Sequence, residues 1–215
     1  MAAKMKKEDS KDEKDGKNDK RKYASFSKRF GAFLIDIILV TFVASIVCIP
    51  FVNTNNQKKL ESEYLENTNA LFNNEINAEA YQEIQISYTY NIAKEDGLVS
   101  IVTILFCILY FGLLQFYMNG QTLGKKLFHI KIKSDTGELT INQLLFRALI
   151  IDSIILDLIL FVSMMFTNKT IYYYTDLIFE LIQYIIYFVC FIMIMKNKDK
   201  KGLHDVLFHT SVIEE

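Results

Sequence analysis

The chain has 215 residues, of which 51% are apolar, and its 24 basic and 25 acidic residues leave a formal net charge of −1. The charged and apolar residues are segregated along the sequence, and apolar runs of about 18 residues or more are long enough to cross a bilayer. This pattern places the chain among membrane proteins and argues against a water-soluble domain or a nucleic-acid-binding role.

The first 22 residues, MAAKMKKEDSKDEKDGKNDKRK, are charged and of low complexity. Such a segment cannot bury a core, so residues 1–22 are predicted to form a disordered cytoplasmic tail. The apolar run that follows is longer than the roughly 7 to 15 residues of a signal-peptide core, which favours a retained first span. Residues 23–215 are predicted to form one transmembrane domain.

Hydropathy predicts an all-α membrane fold, a bundle of four transmembrane helices over residues 30–52, 98–117, 144–166 and 177–195. The second span contains no formal charge. The third span contains Arg147, Asp152 and Asp157, and the fourth contains Glu180.

The number of basic residues alternates between high and low along the segments that flank these spans. Residues 1–29 contain eleven lysines and arginines, whereas residues 53–97 contain three against eight acids. Residues 118–143 contain four, the turn 167–176 contains one, and the tail after Met195 contains four. Because basic residues favour the cytoplasmic side, both termini are predicted to be cytoplasmic.

Two of the connections have patterns of their own. The outer connection, residues 53–97, has apolar residues at loose helical spacing and is predicted to form one or two amphipathic helices. In the inner stretch KKLFHIKIKSDTGELTI, apolar and polar residues alternate on both sides of the turn SDTG. This pattern predicts a β-hairpin. The ending LFHTSVIEE is also strand-like, so a small cytoplasmic sheet closed by the chain end is expected.

Three stretches together resemble the RDD family of small bacterial membrane proteins, which is named for an arginine and two aspartates. The first stretch is SKRFGAFLIDIILV, with Arg29 and Asp36. The second is GQTLGKKLFHIKI, and its matching residues are Gly120, Thr122, Gly124 and Lys125. The third is KGLHDVL, with Gly202, His204 and Asp205.

The resemblance implies a multi-pass protein of the bacterial cell membrane that takes part in the transport of ligands not generally identified. It assigns Arg29, Asp36 and Asp205 to the charged motif, and the glycines, Thr122, Lys125 and His204 to structural positions in the motif. The long acidic connection 53–97 lies outside the family pattern.

Arg29 and Asp36 are seven residues apart, so on a helix they point within about 20° of each other but their Cα atoms are about 10.5 Å apart. That separation is too large for a direct pair, and a partner from another helix is required. Arg147 enters the third span from the same side. The sequence therefore predicts one cluster of Arg29, Asp36, Arg147 and Asp205, which either anchors the bundle or binds a ligand.

Asp157 and Glu180 fall at matching depths on consecutive antiparallel helices, with Asp152 about one turn deeper. Carboxylates that share a dry site cannot all ionise cheaply, so they would hold a proton or bind a cation. These three residues are a candidate ion or proton relay. The alternative is that they hold the helices together as interhelical polar groups.

Transport of an ion or small solute, coupled through the buried charges, is the favoured function, and a membrane adaptor or assembly subunit is the alternative. No nucleophile elbow, phosphate-binding loop or metal-ligand spacing is evident, so neither an enzyme, a cofactor nor a metal is predicted. The expected partners are the lipid bilayer and a second copy of the chain or another membrane protein, and no nucleic acid is expected.

Overall fold

The structure is a computed structural model that describes residues 22–52 and 54–215. The predicted disordered tail therefore lies outside the described residues, except for Lys22. Within the described part of the chain, three helical segments are long and apolar enough to span a membrane: Phe26–Phe51, Gly97–Tyr117 and Lys169–Lys196. A pair of helices bent by 60° meets the same test as a fourth span.

The first span begins earlier than the hydropathy predicted. Helix α1 (Phe26–Cys48) is capped by Ser25, whose hydroxyl accepts the Lys28 backbone N–H at 3.5 Å. It ends in a 3₁₀ turn, Ile49–Phe51, which contains Pro50. As a result Arg29 lies inside the helix rather than in the segment before it.

Residues 54–95 form two helices, α2 (Thr54–Phe72) and α3 (Ala78–Glu95), joined by a turn. They pack through stacked tyrosines, with the ring centroids of Tyr64 and Tyr88 4.3 Å apart. Helix α3 also contacts the start of the last span, where Gln82 donates to the hydroxyl of Tyr174 at 3.0 Å. The helix pair therefore packs on the transmembrane bundle.

The second span changes its helical pitch half-way along. Helix α4 (Gly97–Cys107) continues as a π-helix, Ile108–Leu114, and ends in a last α-turn, α5 (Gln115–Tyr117). A π-helical turn rotates the side chains that follow it and is often found at functional sites. The π-segment contains three consecutive buried residues, Tyr110, Phe111 and Gly112.

The two strands are far apart in the sequence. After the short helix α6 (Leu123–Leu127), strand β1 (Ile130–Ser134) pairs antiparallel with β2 (Thr210–Glu214), and Ile132 lies opposite Val212. Tyr23 makes a bridge to Ile213, so both ends of the described chain lie on this side, called the sheet side below. The expected sheet closed by the chain end is confirmed.

The local β-hairpin predicted for residues 125–141 is wrong. Thr140 and Gln143 form a capping box, so the residues after the turn start a helix rather than a second strand. The spacing T-x-x-Q was visible in the sequence, but the short ELTI alternation suggested an extended conformation instead.

The predicted third span is broken in the middle. Helix α7 (Ile141–Ile151) ends at Asp152, and helix α8 (Ile154–Phe166) follows Ser153, whose φ of 58° is left-handed. Gln183 and Tyr187 of the last span donate to the freed Ile151 carbonyl at 3.3 and 3.0 Å. The break lacks proline and glycine, which is why hydropathy and residue type did not predict it.

The last span, α9 (Lys169–Lys196), is longer than the predicted 177–195. Asn168 caps it by accepting the Ile171 N–H at 2.9 Å. Helix α10 (Leu203–Leu207) then leads into β2. Two buried apolar clusters hold the elements together: one among α1, the second span, α7 and α8, and one beneath the sheet.

Candidate functional site

Asp205 of α10 lies between two arginines from different helices. The Nη1 of Arg29 donates to Oδ2 of Asp205 at 2.6 Å, and the Nη1 of Arg147 donates to Oδ1. The Asp205 side chain is fully buried, and those of Arg29 and Arg147 are 10% and 8% exposed. One carboxylate therefore joins α1, α7 and the chain end in a low-dielectric site.

The same charges hold the backbone of the sheet side in position. Arg29 donates from Nε to the Ala24 carbonyl at 3.2 Å and from Nη2 to the Val212 carbonyl at 3.4 Å. Arg147 also donates to the hydroxyl of Thr210, the first residue of β2. Asp205 accepts the Gly202 N–H at 2.9 Å. The cluster thus fixes the sheet to the transmembrane helices.

Burial by itself opposes the ionisation of Asp205, but the positive charges of Arg147 and Arg29 outweigh it and hold the pKa of this carboxyl well below its usual range. The carboxylate is therefore charged at neutral pH. Two guanidinium groups and one carboxylate leave the Arg29–Asp205–Arg147 cluster with a net charge of +1.

His204 is buried beside the cluster and carries no charge. Burial lowers the pKa of His204 to about 3, although the Asp205 carboxylate opposes this shift. Its Nδ1 lies 3.5 Å from Sγ of Cys190. A Cβ at Gly202 would lie 2.9 Å from the His204 ring, so the motif glycine makes room for the imidazole.

Asp36 has a separate set of partners. Its Oδ1 accepts the Tyr110 hydroxyl at 2.6 Å and the Gly124 N–H at 2.7 Å, and its Oδ2 accepts the Thr122 hydroxyl at 2.5 Å. The Nζ of Lys125 lies 4.0 Å from Oδ2. Asp36 is fully buried, and these donors satisfy both of its oxygens.

The predicted single cluster is therefore two clusters. Arg29, Arg147 and Asp205 come together as expected, but among the described residues the partners of Asp36 are a tyrosine, a threonine, a backbone N–H and a lysine. The expectation that Asp36 pairs with an arginine is wrong. The segment after the second span folds back onto α1 and supplies Thr122, Gly124 and Lys125, and the second span itself supplies Tyr110.

Two motif glycines allow this loop to lie close to its neighbours. A Cβ at Gly124 would lie 2.2 Å from the Ala32 carbonyl oxygen and 2.8 Å from the Asp36 carboxylate. A Cβ at Gly120, whose φ is +86°, would lie 2.2 Å from the Ile132 carbonyl oxygen. Thr122 caps α6 as well as donating to Asp36.

The proposed relay residues lie deeper in the bundle. Asp157 and Glu180 line one cavity of 200 Å³ between α8 and α9, together with Asp176. Asp152 lies at the break between α7 and α8, and both of its carboxylate oxygens are buried without a hydrogen-bond donor among the described residues. In the same part of the chain, no group of three or more His, Cys, Asp or Glu side chains is arranged to hold a metal ion.

A family model described as the RDD family matches residues 23–209 of the chain. The chain belongs to the RDD family. No curated protein and no solved structure matches it.

The three RDD motif stretches are distant in sequence but adjacent in space, and they supply most of the two charge clusters. The first stretch supplies Arg29 and Asp36, the second supplies Thr122 and Gly124, which donate to Asp36, and the third supplies Asp205. Arg147 and Tyr110 complete the clusters from outside the three stretches. In this RDD protein the two name-giving aspartates thus have different partners on the same side of the bundle.

Three residues of these sites were not predicted from the sequence. Tyr110 belongs to a span without formal charge, and its hydroxyl donates to Asp36 from within the π-segment. Asp176 fell one residue outside the predicted fourth span, although the Asn168 cap could have placed it inside the helix. Tyr187, which holds the helix break, carried no sequence pattern that singled it out.

We predict that Asp205→Asn lowers the free energy of unfolding by about 3–5 kcal/mol, because it leaves two buried guanidinium groups without a counter-charge. The measurement is denaturant unfolding of the purified protein in detergent. Asp199→Asn, at an exposed carboxylate on the same side, should change stability by less than about 0.5 kcal/mol. Equal effects of the two substitutions would contradict the structural role of Asp205.

His204 should make the protein less stable in mild acid. Because burial lowers the pKa of His204 to about 3, the unfolded chain binds a proton below pH of about 6.5 that the folded chain does not. Between pH 7 and pH 5 this difference should remove about 2 kcal/mol of stability. The lowered pKa of Asp205 reduces stability only at lower pH, where the carboxyl group of the unfolded chain binds a proton.

The measurement is the unfolding midpoint in detergent from pH 7 to pH 5 for wild type, His204→Gln and His209→Asn. Wild type and His209→Asn, whose imidazole is exposed, should show the same fall, and His204→Gln a smaller one. A slope that is unchanged in His204→Gln would show that other groups cause it.

Proposed function

We propose that this RDD protein is a transporter component that moves a proton, a small cation or a small solute across the membrane, and that the carboxylates between α8 and α9 bind it. We place its sheet side in the cytoplasm of a bacterial cell, because the basic residues concentrate in the segments on that side. The family membership supports a membrane role, and the arrangement of cavities supports movement of a ligand.

Three cavities that follow one another along the bundle carry the proposal. A cavity of 410 Å³ lies among α3, α4, α8 and α9, towards the end opposite the sheet, and shares Asp157 and Leu160 with the 200 Å³ cavity between α8 and α9. The latter shares Tyr187 with a third cavity of 240 Å³ on the sheet side. Asp157 and Tyr187 thus stand at the two boundaries between neighbouring cavities.

The polar groups along this series suit a positively charged ligand in its first two cavities. Asp96, Ser100 and Thr103 line the first cavity, and Asp157 separates it from the second. Asp176 and Glu180 join Asp157 in the second. Carboxylates that line one cavity between apolar helices favour the binding of a proton or cation, because a negative charge is costly inside the membrane.

The helix break adds further acceptors near the second cavity. The carboxylate of Asp152 and Oε1 of Gln183 are buried and accept no hydrogen bond from the described residues. Discontinuous helices in transporters expose acceptors of this kind at the ligand site. The Tyr187 hydroxyl, which bonds the Ile151 carbonyl at the break, would have to move for a ligand to pass towards the sheet side.

We predict that vesicles reconstituted with the wild type take up sodium or transfer protons, and that Asp157→Asn reduces this flux at least about tenfold, because it removes the charge at the first boundary. Uptake of labelled sodium and a pH-sensitive dye inside the vesicles provide the measurement. Asp199→Asn, an exposed carboxylate outside the cavities, should retain the wild-type flux.

Asp36 is unsuitable for this comparison, because its oxygens are already satisfied and its substitution would disturb the fold. Monodisperse elution of Asp157→Asn would establish that the variant is folded. A wild type whose flux equals that of empty vesicles, or a folded Asp157→Asn with full flux, would remove the support for transport.

A second function, that of an adaptor, is favoured by the surface of the α2–α3 pair. Phe72 and Leu65 of α2 are 79% and 61% exposed, although this helix is too polar to be a membrane span. An exposed apolar pair on a polar helix is a site where a partner protein can bind. Residues 54–96, which comprise the two helices, their turn and Asp96, contain eight acidic residues. This negative charge would favour a partner with basic residues.

For the adaptor function we predict that a partner co-purifies with the wild type and is lost when Leu65 and Phe72 are both replaced by serine, because this removes the exposed apolar contacts. The partner should remain bound to Asp157→Asn. Quantitative mass spectrometry of affinity-purified samples provides the measurement. Loss of the partner in Asp157→Asn, or its retention in the double serine variant, would contradict this function.

A further inference from the structure

The cavity of 240 Å³ on the sheet side has both apolar walls and basic groups. It lies between α1, α7 and α9, beneath the two strands. Three basic side chains line it, Arg29, Lys125 and Arg147, and none of the described residues that line it is acidic. The cavity is therefore positively charged on the side that an occupant would touch.

The neighbouring carboxylates are not part of the lining. Asp205 bridges the two arginines, Asp36 lies 4.0 Å from Lys125, and Asp152 interacts electrostatically with Lys125 and Arg147, but none of the three lines the cavity. His204, which also lines the cavity, is neutral because burial lowers its pKa to about 3. An occupant would therefore touch basic groups and no acidic group, which favours an anion in the cavity.

Aromatic side chains from α1 and α9 form the wall that faces away from the bundle. The rings of Phe26 and Phe191 meet edge to face at 4.8 Å, and those of Phe33 and Tyr187 at 6.5 Å. Phe30 and Phe191 are 49% and 39% exposed on the surface of their spans. Phe30 and Phe191 thus line the cavity and also lie on the outer surface of the helices, so the cavity borders that surface.

We propose that this cavity binds the headgroup phosphate of an anionic phospholipid from the adjacent leaflet, with the first methylenes of the lipid against the aromatic wall. Basic pockets between transmembrane helices are suited to such headgroups, and guanidinium groups bind phosphate oxygens through paired N–H donors. The occupant is a lipid rather than a free anion because most of the lining is apolar.

The size of the cavity agrees with a headgroup and not with a whole lipid. Pockets for drug-sized ligands measure about 300–1,000 Å³, and this cavity is 240 Å³. The acyl chains would remain in the bilayer, beyond Phe30 and Phe191. This cavity is also the sheet-side end of the series proposed for transport, but lipid binding is measured without any flux, so the two proposals can fail separately.

The test is native mass spectrometry of the purified full-length protein with added phosphatidylglycerol or phosphatidylcholine of the same acyl chains. We expect phosphatidylglycerol to bind at least about tenfold more tightly than phosphatidylcholine, because only the phosphatidylglycerol headgroup carries a net negative charge. Lys125→Met should remove most of this preference. Lys126→Met, which changes the adjacent exposed lysine outside the cavity, should retain it.

Cys190→Leu is a second variant, which narrows the cavity without altering a charge, and it should weaken binding of the anionic lipid. It replaces Lys125→Met as the deciding variant if the latter does not fold. Equal affinity for the two lipids, equal effects of Lys125→Met and Lys126→Met, or unchanged binding in Cys190→Leu would overturn the proposal. If millimolar inorganic phosphate displaces phosphatidylglycerol from the protein, the cavity is a site for free anions, and this result would also overturn the proposal.

Discussion

The buried carboxylate of Asp205 is the contact on which the sheet side of the molecule depends. It pairs with Arg29 of α1 and Arg147 of α7, and each arginine also bonds to a residue in or beside the sheet. Charges in such a site are stable only when their partners are complete. The chain end therefore cannot leave without exposing two arginines in an apolar interior, which makes the last residues an integral part of the transmembrane fold.

Asp36 attaches the loop after the second span to α1, as Asp205 attaches the chain end. Tyr110, Thr122 and Gly124 all donate to it, and the absence of a side chain at Gly124 allows the backbone to approach α1. The two aspartates thus attach two separate segments to the same helix. Since Asp36 takes no arginine, the arginine cluster retains a positive charge that faces the sheet-side cavity.

The deeper half of the bundle is organised differently. There Asp157 lines two cavities, and Asp152, at the helix break before Ser153, accepts no hydrogen bond from the described residues. On the sheet side both buried aspartates are fully hydrogen-bonded, whereas incompletely paired polar groups mark a region that can bind or rearrange. This contrast separates residues that maintain the fold from residues available for function.

The spans, the charged motif and the sheet closed by the chain end could be predicted from the sequence, because hydropathy, residue order and alternation are local properties. The break at Asp152–Ser153 could not, since α9 stabilises it through Gln183 and Tyr187 and no helix-breaking residue marks it. The partners of Asp36 were also decided only by tertiary structure. A dry interior requires buried charges to be paired, but which donor reaches a given carboxylate depends on how distant segments fold together.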